Sequence, residues 1–232
     1  MFNERIICPA CSYSVSKQLL QLEWNDEIIL KLFKYREYPL DFSLDGAYIL
    51  MECNRCGLIY QKLSPNQEFS NIIYNNWIKN RRVARFDNYS FNPYNPKTTI
   101  KNISQINYLL SLLPIKKTSE IKVLDFGMGW GAWCKAAQIL GLTACGVEIT
   151  ENQVKYAKSQ GLKVIHWDDI PSYNFSIINT EQVLEHVENP SFIIQHLLKG
   201  LDPKGLIRIS VPNSENVKST MNKKPKSTWF TS

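Results

Sequence analysis

No apolar run in this 232-residue chain approaches the roughly 20 residues that a membrane-spanning helix needs. The stretch from Met1 to Cys11 has no apolar region of the kind that directs export, so a cytoplasmic location is expected. No internal repeat and no low-complexity tract is present. A one-sided charge is also missing where it would count. The net charge of +6 divides unevenly: residues 1–100 carry 12 Lys/Arg against 10 Asp/Glu, residues 121–211 carry 8 against 9, and residues 212–232 carry 4 against 1. Half of the excess therefore sits in the last 21 residues, and no basic groove for a phosphate backbone is evident. With 44% hydrophobic and 21% charged residues, the chain has the composition of a globular protein with room for one full domain and a small one.

What is present begins with cysteine. Four of the six cysteines form two CxxC pairs, Cys8-Pro9-Ala10-Cys11 and Cys53-Asn54-Arg55-Cys56, the second followed by Gly57. Without an export signal, disulfides are not expected, and four thiolates suit a tetrahedral, structural zinc. Two unrelated thiol pairs are the plainer alternative. The 41 residues between the pairs form an insertion with helix-like and strand-like pieces at Val15–Leu20, Glu27–Phe33 and Ala47–Met51. Cys134 and Cys145 sit at apolar positions and read as packing.

The rest of the chain divides into a helical connector and linker over 65–97, an alternating region over 98–213 and a basic tail over 214–232 that is expected to be disordered. In the connector, Arg81, Arg82 and Arg85 are either a diphosphate clamp or a solvated face. From Thr98 onward a helix is followed by strands near 121–125, 143–148, 162–166, 175–180 and 206–211, with helices between them and a turn at Asp202-Pro203-Lys204-Gly205. That alternation predicts an α/β fold with a parallel, doubly wound sheet.

The chemistry gathers at Val123-Leu124-Asp125-Phe126-Gly127-Met128-Gly129-Trp130-Gly131. A strand ends in an acid and enters three alternating glycines, a turn that lets a nucleotide-like ligand approach the main chain. Glu148, ending the second strand, is placed to accept from ribose hydroxyls. A pyrophosphate would not welcome Asp125, whereas the amino group of a methionine-like moiety would. After the third strand, Asp168 or Asp169 can reach an adenine amine, and Trp167 can cover a ring face. His196, on an amphipathic helix, reads as a surface or satisfied residue.

This ordered set, continued by Gly146-Val147-Glu148, Val183-Leu184-Glu185-His186-Val187 with Asn189-Pro190, Leu201–Leu206 and Val211-Pro212-Asn213, resembles the class I S-adenosylmethionine-dependent methyltransferases. The resemblance covers about residues 98–213. It implies a Rossmann-like sheet with strand order 3-2-1-4-5, Asp125 and Gly127, Gly129 and Gly131 against the methionine part of S-adenosylmethionine, Glu148 on the ribose, and Asp168 or Asp169 near adenine. The front half, 1–64, is similar to the zinc-ribbon preface of a bacterial subgroup that includes sugar C-methyltransferases. Its implied acceptor is a small molecule: a sugar, a nucleotide-sugar, or another cell-envelope or natural-product metabolite.

Two motifs of relatives are not matched. In quinone O-methyltransferases and small-RNA 2′-O-methyltransferases, Glu-x-x-Glu-His binds a divalent cation; here Gln182 stands at the first acid position and Glu181 is one residue out of step, which argues against that site. The downstream Tyr-His-Glu-His type motif of the sugar C-methyltransferases has no counterpart after Asn213. His186 is the nominated general base if the acceptor's proton must leave early. The full class I sheet adds a last strand pair that this sequence does not offer after Val211, so an exposed edge at Leu206–Val211 and a homodimer through it are expected. An RNA-directed methyltransferase using the zinc ribbon, or a non-catalytic scaffold, are the competing readings; nucleic acid is disfavoured by the near-neutral front half.

Overall fold

A computed structural model describes residues 1–36, 38–39, 43–73, 92–114, 117–213 and 217–220. Trp77, Val83, Arg81, Arg82 and Arg85 lie outside the described residues. No described helix is long and apolar enough to cross a membrane. The chain forms two compact units: Met1–Ser90 with His186–Ser191 and Pro212–Ser232, and Phe91–Glu185 with Phe192–Val211.

The front unit is built on short antiparallel sheets. Strand β1 (Phe2–Glu4) pairs with β5 (Leu63–Pro65), and β2 (Ser16–Glu23), β3 (Ala47–Cys53) and β4 (Ile59–Gln61) form a second sheet in the order β2-β3-β4. Helix α1 (Glu27–Arg36) lies between β2 and β3 in the chain. Its Ile29 and Leu32 bury against Tyr48 and Leu50 of β3. The long insertion between the cysteine pairs is therefore a strand–helix–strand excursion that brings Cys53 back beside Cys8. Helix α2 (Gln67–Ile72) starts at Asn66, whose side chain accepts from the Phe69 amide at 2.8 Å.

The second unit carries five parallel strands. Helix α3 (Pro96–Ser111) opens it, with Asn95 as N-cap accepting from Thr98 N–H at 3.0 Å and Pro96 at the first helical position. Then follow β6 (Lys122–Phe126), α4 (Ala132–Ile139), β7 (Thr143–Val147), α5 (Glu151–Ser159), β8 (Lys163–Val164), β9 (Phe175–Glu181), α6 (Pro190–Lys199) and β10 (Leu201–Ser210). The sheet order is β10-β9-β6-β7-β8, which is 3-2-1-4-5 in the order of these five strands, as expected. Alternate residues of the strands face opposite layers, so both faces are apolar. Val123, Ala144 and Ile177 bury with Ile106 of α3 and Trp133, Ala136 and Ala137 of α4. Leu124, Cys145 and Ile178 bury with Ile170 and with Leu197 of α6. Cys134 and Cys145 are both buried, the Cys134 thiol donating to the Cys145 carbonyl at 3.3 Å, which fits their reading as packing.

Two sequence expectations differ from the structure. The turn at Asp202–Gly205 is absorbed into β10 as an irregularity: pairing with β9 shifts register between Leu201 and Leu206. Pro203 is tolerated there because β10 lies at the edge of the sheet among the described residues. Within the tail expected to be disordered, Val217–Thr220 forms a short helix, α7, with Val217 buried against the Ile29–Tyr48 cluster and Lys218 paired with Glu52.

Gly200, after α6, is where the fold tolerates no side chain. A Cβ there would stand 2.3 Å from the Ile170 carbonyl oxygen, a backbone atom no rotamer change can move. Gly200→Ala should cost about 3 kcal/mol, the overpacking scale, whereas Gly161→Ala, with open space around it, should cost only about 1 kcal/mol for its positive φ. Urea unfolding of the two variants checks this ranking.

Candidate functional site

The glycine turn between β6 and α4 is shaped by the neighbouring strand. Gly127 and Met128 both donate their amides to the Val147 carbonyl, at 2.9 and 3.0 Å. Gly129 has φ +54 and nothing within 4 Å of the place a Cβ would occupy. The chain is therefore open on that side, as a cradle for a bulky ligand must be. Gly127, Gly131 and Gly146 differ: a Cβ on them would strike Val183, Leu162 and Met128 at 2.3, 2.2 and 2.0 Å.

Glu148 has more to do than the sequence suggests. Its Oε2 accepts from the Gly129 amide at 2.9 Å, and its Oε1 accepts from the amides of Ile149 and Thr150, each at 2.9 Å. The carboxylate thus ties the glycine turn to the start of α5. A carboxylate has about four acceptor positions. Three are used, leaving Oε2 with capacity for one more donor such as a ribose hydroxyl.

Asp125 is 5% exposed and belongs to a polar row across three strands. Registered neighbours Asp125, Asn179 and Arg208 stand side by side on β6, β9 and β10. The Arg208 guanidinium can only donate, so its 2.6 Å contact fixes the Asn179 oxygen toward it. The Asn179 amide nitrogen then faces Asp125 and donates to Oδ1 at 2.7 Å. Arg208 also donates to Glu181 at 3.1 Å, and Glu181 pairs with Lys101 of α3 at 3.4 Å. Burial pushes the Asp125 carboxyl up to about 7, against the pull of the Asn179 hydrogen bond. Asn179 and Arg208 escaped sequence reasoning because single polar residues in strands carry no spacing signal.

The other expected residues divide. Asp169 is committed locally, accepting from the His166 amide at 3.1 Å to cap the 3-10 turn Trp167–Ser172. Asp168 is exposed, near His166 Nδ1 at 3.2 Å. One face of Trp167 is covered by the His196 ring, 3.8 Å away and nearly parallel, and His196 Nε2 contacts the Trp167 carbonyl at 3.0 Å. His196 is thus a satisfied residue, as read. Tyr94, which the sequence did not single out, donates to the Trp130 carbonyl at 3.1 Å and stacks on Tyr156, pinning the turn from outside. Burial raises its phenol to about 12, so it keeps its donor proton at neutral pH. His186 is exposed and closes the 3-10 turn Leu184–His186.

In the front unit the two CxxC pairs converge. The four sulfurs of Cys8, Cys11, Cys53 and Cys56 lie within 4.8 Å of one another, with Cys8–Cys56 and Cys11–Cys53 at 3.6 Å. A tetrahedral zinc with ligands at about 2.3 Å sets sulfurs about 3.8 Å apart, so the residues fit that ion. The knuckles mirror each other: Ser12 N–H donates to the Cys8 carbonyl and Gly57 N–H to the Cys53 carbonyl, at 2.9 and 3.0 Å. Both Ser12 and Gly57 have positive φ. Amides of Cys56 and Arg55 push the Cys53 thiol down, while Cys8, dominated by burial, is pushed up. Among the described residues these cysteines are the one group of three or more potential metal ligands brought together.

Comparison with known proteins gives a consistent set. The family described as "Methyltransferase domain" matches residues 101–229, more than half of the chain. The ubiquinone biosynthesis O-methyltransferase of Thiobacillus denitrificans is 25% identical over 151 residues, covering 59% of this chain and 64% of that protein. The protein of the same name from Glaesserella parasuis is 28% identical over 156 residues, covering 60% and 66%. The chain thus spans just under two thirds of the length of these relatives. Among solved structures, the plantazolicin methyltransferase BpumL in complex with SAH is similar with a TM-score of 0.49 and 19% identity, covering 68% of this chain and 62% of that one.

The elevated Asp125 carboxyl has a measurable consequence. The folded protein holds that proton to about pH 7, the unfolded chain only to about 3.9. Between those values the native state binds more protons, so Asp125's contribution to stability falls as pH rises through the window and is level above it. Urea unfolding of wild type and Asp125→Asn from pH 4.5 to 8 should show a difference that shrinks toward low pH.

Proposed function

Because this chain belongs to the methyltransferase domain family, we propose that it transfers a methyl group from S-adenosylmethionine to a hydroxyl of a small-molecule acceptor. The observation that carries this reading is the glycine turn: Gly129 open on its ligand side, with Glu148 bonded to its amide and one acceptor position to spare. The cofactor supplies an activated methyl group, so the protein's work is alignment. The turn would receive the methionine part. Asp125, lowered from its elevated pKa by an approaching ammonium, would hold that group as a carboxylate. Glu148 would accept from a ribose hydroxyl, and exposed Asp168 would meet the adenine amine, with Asp169 behind it holding the turn. His186 is proposed to take the acceptor's proton.

The relatives' names, which concern O-methyl transfer in ubiquinone biosynthesis, favour an oxygen of a small metabolite. A sugar or nucleotide-sugar acceptor rests on the front-half resemblance alone. A panel of catechols and nucleotide-sugars with labelled S-adenosylmethionine separates the two. Zinc at Cys8, Cys11, Cys53 and Cys56 is proposed as a structural ion, since four cysteine ligands leave no open position.

Calorimetric titration with S-adenosylhomocysteine tests the cofactor. Glu148→Ala should weaken binding by about 1.5–3 kcal/mol, the scale of hydrogen bonds to a charged group. Glu148→Gln, which keeps the side chain's size and one oxygen acceptor, should lose less. Tight NADH binding with no response to S-adenosylhomocysteine overturns the reading.

Elemental analysis of protein purified without added metal should find one zinc per chain. Cys53→Ser should lose it and expose the front unit to proteolysis, and Cys134→Ser should leave it in place. A zinc-free protein that resists proteolysis refutes the metal.

A further inference from the structure

The segment His186–Ser191 follows β9 in the chain, yet it belongs to the front unit. Its ties there are polar and converge from residues far away in sequence. Arg5 stands just after β1, with its own amide donating to the Lys62 carbonyl at 2.8 Å. Its guanidinium donates from Nη2 to the Val187 carbonyl at 2.9 Å, from Nε to the Glu188 carbonyl at 3.2 Å and from Nη1 to the Gln61 carbonyl at 3.1 Å. Asn3 Nδ2 donates to Glu188 Oε1 at 3.0 Å. At the other end of the segment, Ser191 Oγ donates to the Ala10 carbonyl at 3.0 Å, and Ala10 lies between Cys8 and Cys11.

These contacts make a clamp with two jaws. His186, Glu188 and Asn189 are exposed, so the segment has little apolar burial to order it, and its conformation depends on the polar ties. A guanidinium is a planar fork of five donors and can reach three carbonyls at fixed spacing; an ammonium cannot reproduce that geometry. The second jaw is the cysteine knuckle itself, where Ser12 N–H to Cys8 carbonyl sets the direction of the turn that presents the Ala10 oxygen.

We propose that Arg5 and the Cys8–Cys11 knuckle together set the conformation of the His186–Ser191 segment, which makes Arg5 a positioning residue for His186 and couples the metal centre to the loop. The role of His186 in this inference rests on the methyltransferase reading; the clamp itself does not.

Hydrogen exchange of the full chain, read by mass spectrometry over residues 186–191, tests the clamp, together with the rate at which diethyl pyrocarbonate modifies His186. Arg5→Ala should speed exchange in this segment by about tenfold or more and raise the His186 rate, the scale of losing charge-assisted hydrogen bonds. Arg5→Lys should recover only part of the protection. Zinc content should be unchanged, and S-adenosylhomocysteine affinity should stay within about twofold of wild type. If Arg5→Ala loses metal or unfolds the front unit, Ser191→Ala and Asn3→Ala, which keep Arg5, must still speed exchange in the same segment. Unchanged exchange and unchanged His186 reactivity in a metal-replete Arg5→Ala, or in the Ser191→Ala and Asn3→Ala pair, overturn the proposal. Wild type that shows the clamp's protection but binds no S-adenosylhomocysteine would refute the methyltransferase reading and leave the clamp standing.

Discussion

The carboxylate of Glu148 is the constraint on which the cofactor end of the sheet depends. It collects three backbone amides, from Gly129, Ile149 and Thr150, that no helix or strand ladder would satisfy. One side chain thus settles three amides of the turn, two of them part-buried. The negative charge also stands at the N-terminal end of α5, where the helix's own amides favour it. The geometry of the turn and the placement of the Glu148 carboxylate, the ribose acceptor in the proposed function, therefore come from the same atoms. On that proposal, binding would not have to build the site, because the carboxylate is already fixed in place by three amides.

The polar row behind it makes a different compromise. Asp125, Asn179 and Arg208 form a polar row from the edge strand β10 to the central β6, and among the described residues the bond given to Asp125 is from an amide, not a cation. A buried acid paired only with an amide is held near neutral pKa, as its elevated value of about 7 reflects. Replacing Asp125 alone with an apolar residue would leave the buried Asn179 amide without its acceptor. In the proposed function this acid is a poised charge, one that an ammonium brought to the turn would draw out. Arg208 contributes at one remove, by fixing which end of Asn179 faces the acid.

Much of this was legible beforehand. The parallel sheet and both cysteine pairs followed from residues whose type and spacing restrict their use, alternating apolar runs and thiols three apart, while the strand order was what the family resemblance implied. Glu148 and Asp125 were picked out by their places at strand ends. The remainder was not legible for a common reason. Arg5 and Val187 are 182 residues apart in sequence, and nothing in either neighbourhood marks the other. Asn179 and Arg208 meet only because β9 and β10 run in register. The edge position of β10 turned a plausible loop at Asp202–Gly205 into an irregular strand, since an edge can accept Pro203 where a central strand could not. Val217 found a hydrophobic cluster that a lysine-rich composition does not advertise.

The glycine motif itself shows how a sequence signal mixes two causes. At Gly127, Gly131 and Gly146 a side chain is excluded by Val183, Leu162 and Met128, so these glycines answer to packing against the loop after β9, the start of β8 and the turn. Gly127 and Gly131 also have positive φ, which a side chain would strain. Gly129 alone among the motif's glycines faces open space, and its amide is the one held by Glu148. The open side of the motif is thus at Gly129, beside the Glu148 carboxylate, with neighbours whose smallness also serves the fold. That division explains why the alternating pattern holds its shape here: the turn that presents Gly129 exists only because the glycines on either side let strand, helix and loop close up around it.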